Sequence, residues 1–265
     1  MKICMASSPF LDILDEIRFA AFHKFDGIEI SIEHPNSTPE HLNKRIEDIL
    51  GLLSSYPLVR LAHTPIFINI CDAYDTVREA SLKELLKALE VAYLLEIKFL
   101  TVHPGYLRPN ITKETAIRNL ISSLEALLSK ADNLGITLGL ENLPPPPLGY
   151  FTEPGDFKSL FQQFNTDRLK LVFDFAHANI GGSTSPFIFI EQLFDKLGHI
   201  HLSDNFGDRD SHLPLGAGKV KYEELIARLR GKGYDGTLTL EVFSDDREHL
   251  LLSKRKVEAL TSSQI

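Results

Sequence analysis

The feature that most constrains this chain is an alternation repeated eight times. Short β-rich runs recur, each followed by a segment of helical pattern. The runs are "KICMAS" (2–7), "DGIEIS" (26–31), "VRLAHT" (59–64), "FLTVHPG" (99–105), "TLGLEN" (137–142), "LKLVFDFAH" (169–177), "HIHLSD" (199–204) and "LTLEVF" (238–243). Between the fourth and fifth, Ile117, Leu120, Ile121, Leu124 and Leu128 follow the i, i+3, i+4 spacing of an amphipathic helix, and Gly135 is placed to cap it. Eight strand–helix units with no interdomain linker predict an α/β chain folded as a single (β/α)8 TIM barrel over 1–265. The rival, a doubly wound open sheet, favours a glycine-rich first turn that is missing here.

Composition narrows the function classes. The chain is 43% hydrophobic and 24% charged, a globular composition. No apolar run approaches the roughly 20 residues that span a bilayer, so no membrane partner is expected. The first residues carry no signal-peptide pattern, and the two cysteines, Cys4 and Cys71, predict reduced thiols in a cytoplasmic protein. A net charge of −8 argues against a broad electrostatic grip on nucleic acid.

In a barrel of this type the chemistry sits at the C-terminal ends of the strands. Those ends carry His63, His103, Glu141, Asp174 with His177, His201 and Glu241. Successive positions from 63 to 241 are separated by 40, 38, 33, 27 and 40 residues, the spacing of βα units, which brings the groups to one face. The stretch "SDNFGDRDSHLPLGAG" after the seventh run adds Asp210 and His212. So many imidazoles and carboxylates are costly to bury together unless a cation compensates them, and they are the ligand types of divalent transition metals. His199 reads as a structural residue deeper in the barrel, and Cys71 as packed. Glu33 and His34 read as loop residues near the mouth, before a helix capped by Ser37 or Thr38. The proline-rich "NLPPPPLGYFTEPG" reads as a stiff loop over the mouth.

Together "AHTPIFINI", "VHPG", "GLEN", "DFAHA", "HIHLSDN", "DSHLPLGAG" and "LTLEVF" resemble the xylose isomerase-like TIM-barrel superfamily over nearly the whole chain, in order. That superfamily contains sugar isomerases and epimerases and also endonuclease IV. The epimerase branch implies one divalent ion (zinc, manganese, cobalt or magnesium) on Glu141, Asp174, His201 and Glu241. Glu141 and Glu241 would then be the catalytic proton-transfer pair, and His177 would contact substrate oxygen. The nuclease branch implies three zinc ions on His63, His103, Glu141, Asp174, His177, His201, Asp210, His212 and Glu241, with abasic DNA as substrate. Ile66 and Phe67 stand where that branch presents bulky groups to DNA, with core packing as the plain alternative. Arg108 and Arg209, and the backbone N–H groups of Gly216 to Gly218, are candidates to meet a substrate phosphate. The loop wording favours the sugar branch, so a sugar or sugar phosphate is the expected partner, with nucleic acid only under the alternative. Homo-oligomers are frequent in the superfamily, though no interface signature stands out.

Overall fold

The structure, a computed structural model, describes residues 1–145, 149–181 and 185–262. Its strands are β1 (Lys2–Ala6), β2 (Gly27–Ser31), β3 (Val59–His63), β4 (Phe99–Val102), β5 (Thr137–Glu141), β6 (Leu169–Asp174), β7 (Leu197–Leu202) and β8 (Thr237–Leu240). Each pairs in parallel with its sequence neighbour, and β1 also pairs with β8, closing the barrel. The helices are α1 (Ile13–Phe22), α2 (Pro39–Asn43), α3 (Ile46–Ser54), α4 (Asp75–Leu94), α5 (Lys113–Leu134), α6 (Pro154–Phe161), α7 (Phe175–Asn179), α8 (Phe187–Leu193), α9 (Tyr222–Gly231) and α10 (Glu248–Ser262). The predicted (β/α)8 barrel is the fold observed.

Local chemistry explains the boundaries. Thr112 accepts from Thr115 N to start α5, whose buried side includes Leu120, Leu124 and Leu128. Gly135 ends it in the left-handed region at φ 68°, as the sequence predicts, because no Cβ opposes that turn. Thr38 rather than Ser37 caps α2. The sixth run divides: β6 stops at Asp174, whose side chain accepts from His177 N and so starts α7.

The two faces of the barrel strands differ in kind. Ile28 and Ile30 flank Glu29 on β2, and all three are buried. Glu29 meets Thr101, His199 and His201 across the interior, so by the period of two the isoleucines face the helices. The main apolar core therefore lies between barrel and helices, while the barrel interior beneath the mouth is polar. The proline-rich patch is described only at its flanks. Leu143 N donates to Phe151 O at 3.0 Å and Tyr150 Oη donates to Pro104 O at 3.1 Å, but 146–148 lie outside the described residues.

Candidate metal centre

The strand-end residues expected from the sequence do converge. Glu141, at the end of β5, is the hub. Its Oε2 lies 3.1 Å from His63 Nε2 and 3.1 Å from His103 Nε2. Its Oε1 lies 3.1 Å from His201 Nδ1 and 3.4 Å from His177 Nδ1. Glu241, just past β8, reaches the same His201 Nδ1 at 3.4 Å. Ligand atoms that approach within 4.8 Å of one another form five groups among the described residues: Glu141–Asp174–His201–Glu241, His63–His103–Glu141, His177–Asp210–His212, His63–His201–Glu241 and, deeper in the barrel, Glu29–His199–His201.

Each imidazole has one ring nitrogen fixed from behind. A backbone carbonyl can only accept, so Nδ1 must carry the proton in His63 (to Thr64 O, 2.6 Å), His177 (to Asn142 O, 2.8 Å) and His212 (to Glu241 O, 3.0 Å). The Tyr106 hydroxyl donates to Ile66 O, so it accepts from His103 Nδ1 at 3.3 Å. In His201 the order is reversed: Nε2 faces the Glu29 carboxylate at 3.1 Å. The nitrogens left over are Nε2 of His63, His103, His177 and His212 and Nδ1 of His201, and these face the carboxylates. Imidazoles held this way are arranged as metal ligands are.

Burial makes this arrangement costly without a cation. Asp174 uses Oδ1 as the helix cap, while its buried Oδ2 has no hydrogen-bond partner. Burial pushes the Asp174 carboxyl up to about 7, even though His177 opposes the shift. Burial would also raise Glu141, but His201 and His103 outweigh it and hold it well below the usual carboxylate range. Burial lowers His201 and His177, yet the surrounding carboxylates, Glu241 foremost for His201 and Asp174 for His177, carry both well above the ordinary imidazole value. An orphaned carboxylate oxygen beside preset imidazole lone pairs is what a divalent ion would fit, and the donor set suits zinc or manganese.

The loop after β7 owes its shape to Asp204. Asp204 Oδ2 accepts from Gly216 N (2.7 Å) and Gly218 N (3.0 Å), and Oδ1 accepts from Asn205 N (2.8 Å) and Val220 N (2.9 Å). At Gly218 a Cβ would come within 2.3 Å of Asn205 O, so only glycine lets the loop close this tightly. The expectation that Gly216 to Gly218 offer N–H groups to a phosphate is thus corrected at both glycines: the protein's own carboxylate takes them. The folded loop carries Asp210 to 3.1 Å from His177 Nε2 and 3.0 Å from His212 Nε2.

Several expectations resolve more simply. Arg108 pairs through Nε with buried Asp72 at 3.1 Å, its side chain 57% exposed, and Arg209 lies exposed on the loop after β7. Glu33 accepts from Ile66 N and His34 N, bracing the neighbouring loop. Cys71 is packed, as expected. Core packing of Ile66 and Phe67 is overturned: they are 37% and 78% exposed, and Phe67 stacks on Tyr106 at 6.4 Å. Both follow the C-terminal end of β3, where the chain leaves the barrel.

Sequence reasoning missed two residues here. Asn142 braces the centre, its side chain pairing with both Asp174 N (2.8 Å) and Asp174 O (2.9 Å). Glu29 lies beneath His201. Its signal was an acid between two isoleucines in a strand, which also fits an ordinary solvent-facing position.

A family model described as "Xylose isomerase-like TIM barrel" matches residues 17–262. Fructoselysine 3-epimerase of Escherichia coli O157:H7 is 27% identical over 241 residues, covering 88% of this chain and 86% of that protein. A probable endonuclease 4 of Metamycoplasma arthritidis is 26% identical over 214 residues, 76% of each. A solved D-tagatose 3-epimerase-like protein superposes with a TM-score of 0.87 at 26% identity, covering 98% of this chain and 97% of the other.

Proposed function

The chain belongs to the xylose isomerase-like TIM-barrel family, and we propose that it is a divalent-metal-dependent isomerase or epimerase of a sugar or sugar phosphate. The observation that carries this reading is the group Glu141, Asp174, His201 and Glu241, in which glutamates at the end of β5 and just past β8 reach the same imidazole nitrogen at 3.1 and 3.4 Å. The similarity to a fructoselysine 3-epimerase and to a D-tagatose 3-epimerase-like structure supports a sugar substrate.

These four residues would hold the ion. When bound, it supplies Lewis-acid polarisation of substrate oxygen. Glu141 and Glu241 do the proton work. One carboxylate removes the proton from the carbon beside the carbonyl, and the other carboxyl group delivers a proton to the opposite face. In an epimerase this returns the proton to the same carbon and inverts it, in an isomerase to its neighbour, and in both the substrate's composition is unchanged. His177, fixed through Nδ1 by Asn142 O, orients a substrate hydroxyl.

A specific observation favours a second reading, a trinuclear zinc phosphodiesterase acting on abasic DNA. His63 and His103 share Glu141 with the first group, and His177, Asp210 and His212 form a third. One divalent ion leaves the carboxylates of Glu141, Asp174, Asp210 and Glu241 at about −2, and three bring them to about +2. The first suits a neutral polyol and the second a phosphodiester. Elemental analysis of unchelated protein, paired with an assay on a duplex holding one abasic site, separates the two. The sugar reading expects one tightly held ion and an uncut duplex. Close to three zinc ions per chain with strand cleavage would replace it with the nuclease.

A further inference from the structure

Beneath the mouth lies a buried polar layer that the proposed chemistry does not use. Glu29 on β2 is 1% exposed and His199 on β7 fully buried. Glu29 Oε1 accepts from Thr101 Oγ1 at 2.7 Å, and Oε2 faces His199 Nε2 at 3.0 Å. His201 Nε2 sits over both oxygens, 3.3 Å from Oε1 and 3.1 Å from Oε2. His199 is anchored in turn, its Nδ1 2.6 Å from Thr237 Oγ1 and its Nε2 3.0 Å from Thr239 Oγ1. Among the described residues no Lys or Arg pairs with Glu29, so its contacts are hydroxyl and imidazole groups from the opposing strands.

We propose that Glu29 is a positioning residue for the metal centre: it holds the His201 ring with the proton on Nε2, so that the Nδ1 lone pair points at the space shared by Glu141, Asp174 and Glu241. His201 is the one imidazole of the centre that presents Nδ1, and no backbone carbonyl fixes its tautomer. Only a carboxylate does. Thr101 and His199 hold Glu29 from below, so the aim of His201 is set by the rigid barrel interior. This inference rests on the metal-centred reading above. Partners of ligand imidazoles typically contribute about 10–100-fold to metal affinity.

Glu29→Gln tests it. The side chain keeps its shape, but the amide can donate to His201 Nε2, which then needs its lone pair there and carries its proton on Nδ1, against the ligand carboxylates. Zinc affinity is measured by competition with a chelator in wild type, Glu29→Gln and His201→Ala, with circular dichroism to verify the fold. The expected result is zinc binding about 10–100-fold weaker in a folded Glu29→Gln. The metal-free variant should also show His201 protonated on Nδ1 by ring 15N shifts, a signature that general loosening does not produce. Wild-type affinity and tautomer in Glu29→Gln, with affinity lost in His201→Ala, would overturn the proposal while leaving the metal centre standing. Wild-type protein that binds no zinc would overturn both. If Glu29→Gln does not fold, zinc-loaded wild type is examined by NMR. An Nε2 proton on His201 coupled across a hydrogen bond to the Glu29 carboxylate is expected, and its absence overturns the proposal.

Discussion

Four imidazoles face one carboxylate at Glu141, within 3.1–3.4 Å, whereas Glu241 approaches His201 at 3.4 Å and His212 at 3.8 Å. That asymmetry separates the two glutamates experimentally. Glu141→Gln replaces with a neutral amide the carboxylate that faces the presented nitrogens of His63, His103 and His201, so it should lose both turnover and metal. Glu241→Gln should lose turnover by about 10²–10⁴-fold, the usual span of general acid–base catalysis, with a smaller loss of affinity. Turnover at saturating metal, alongside a metal titration of each variant, checks both. Near-normal turnover in either removes that glutamate from proton transfer. Strand-end residues such as Glu141 and His201 were legible because βα spacing alone brings them to one face. Glu29 was not: "GIEIS" alternates like a strand with one wet face, and only closure of the barrel turns that face inward.

The loop between β7 and α9 is an element whose order depends on one side chain. Asp204 receives four backbone N–H groups and also pairs through its backbone with Leu213, at 2.8 and 2.9 Å. Asp204→Ala should destabilise the protein by on the order of 3 kcal/mol, since each buried donor left unpaired costs about 1–3 kcal/mol and the loop relaxes towards water. In a chain of this size that is roughly 5–10 °C in Tm. Asp204→Asn retains one acceptor oxygen and should fall between. Thermal melts of the three proteins decide it, and an unchanged Tm in Asp204→Ala would mean that the loop is held elsewhere. Three aspartates stand in "SDNFGDRDSHLPLGAG". The family resemblance pointed to Asp210 together with His212, but nothing local distinguished Asp204, because three of its four N–H partners lie 12 to 16 residues ahead.

For the whole molecule, the clustered charges couple stability to pH, and a metal reverses the trend. Burial lowers His212, but Asp210 outweighs it and raises it to about 9. A group raised on folding contributes fully below its unfolded value, about 6.5 for histidine, and the contribution is lost as pH climbs through the folded value. His201 and His177 act in the same direction. Asp174, raised to about 7, loses its contribution as pH rises from about 4. Chelated protein should therefore become less stable between about pH 6.5 and 9. Metal binding needs deprotonated ligands, so affinity rises over the same interval. The Tm difference between metal-loaded and chelated protein should widen with pH. A gap that narrows would contradict the assigned ligand set.

The central claim is metal-assisted proton transfer on a sugar, and solvent exchange tests it most directly. Metal-loaded protein is incubated in deuterium oxide with a panel of ketoses, aldoses and their phosphates, followed by mass spectrometry and NMR. The account predicts deuterium at the carbon beside the carbonyl of at least one sugar, abolished by chelation and by Glu241→Gln. No exchange in any member, while the same preparation cuts a duplex at an abasic site, would contradict it.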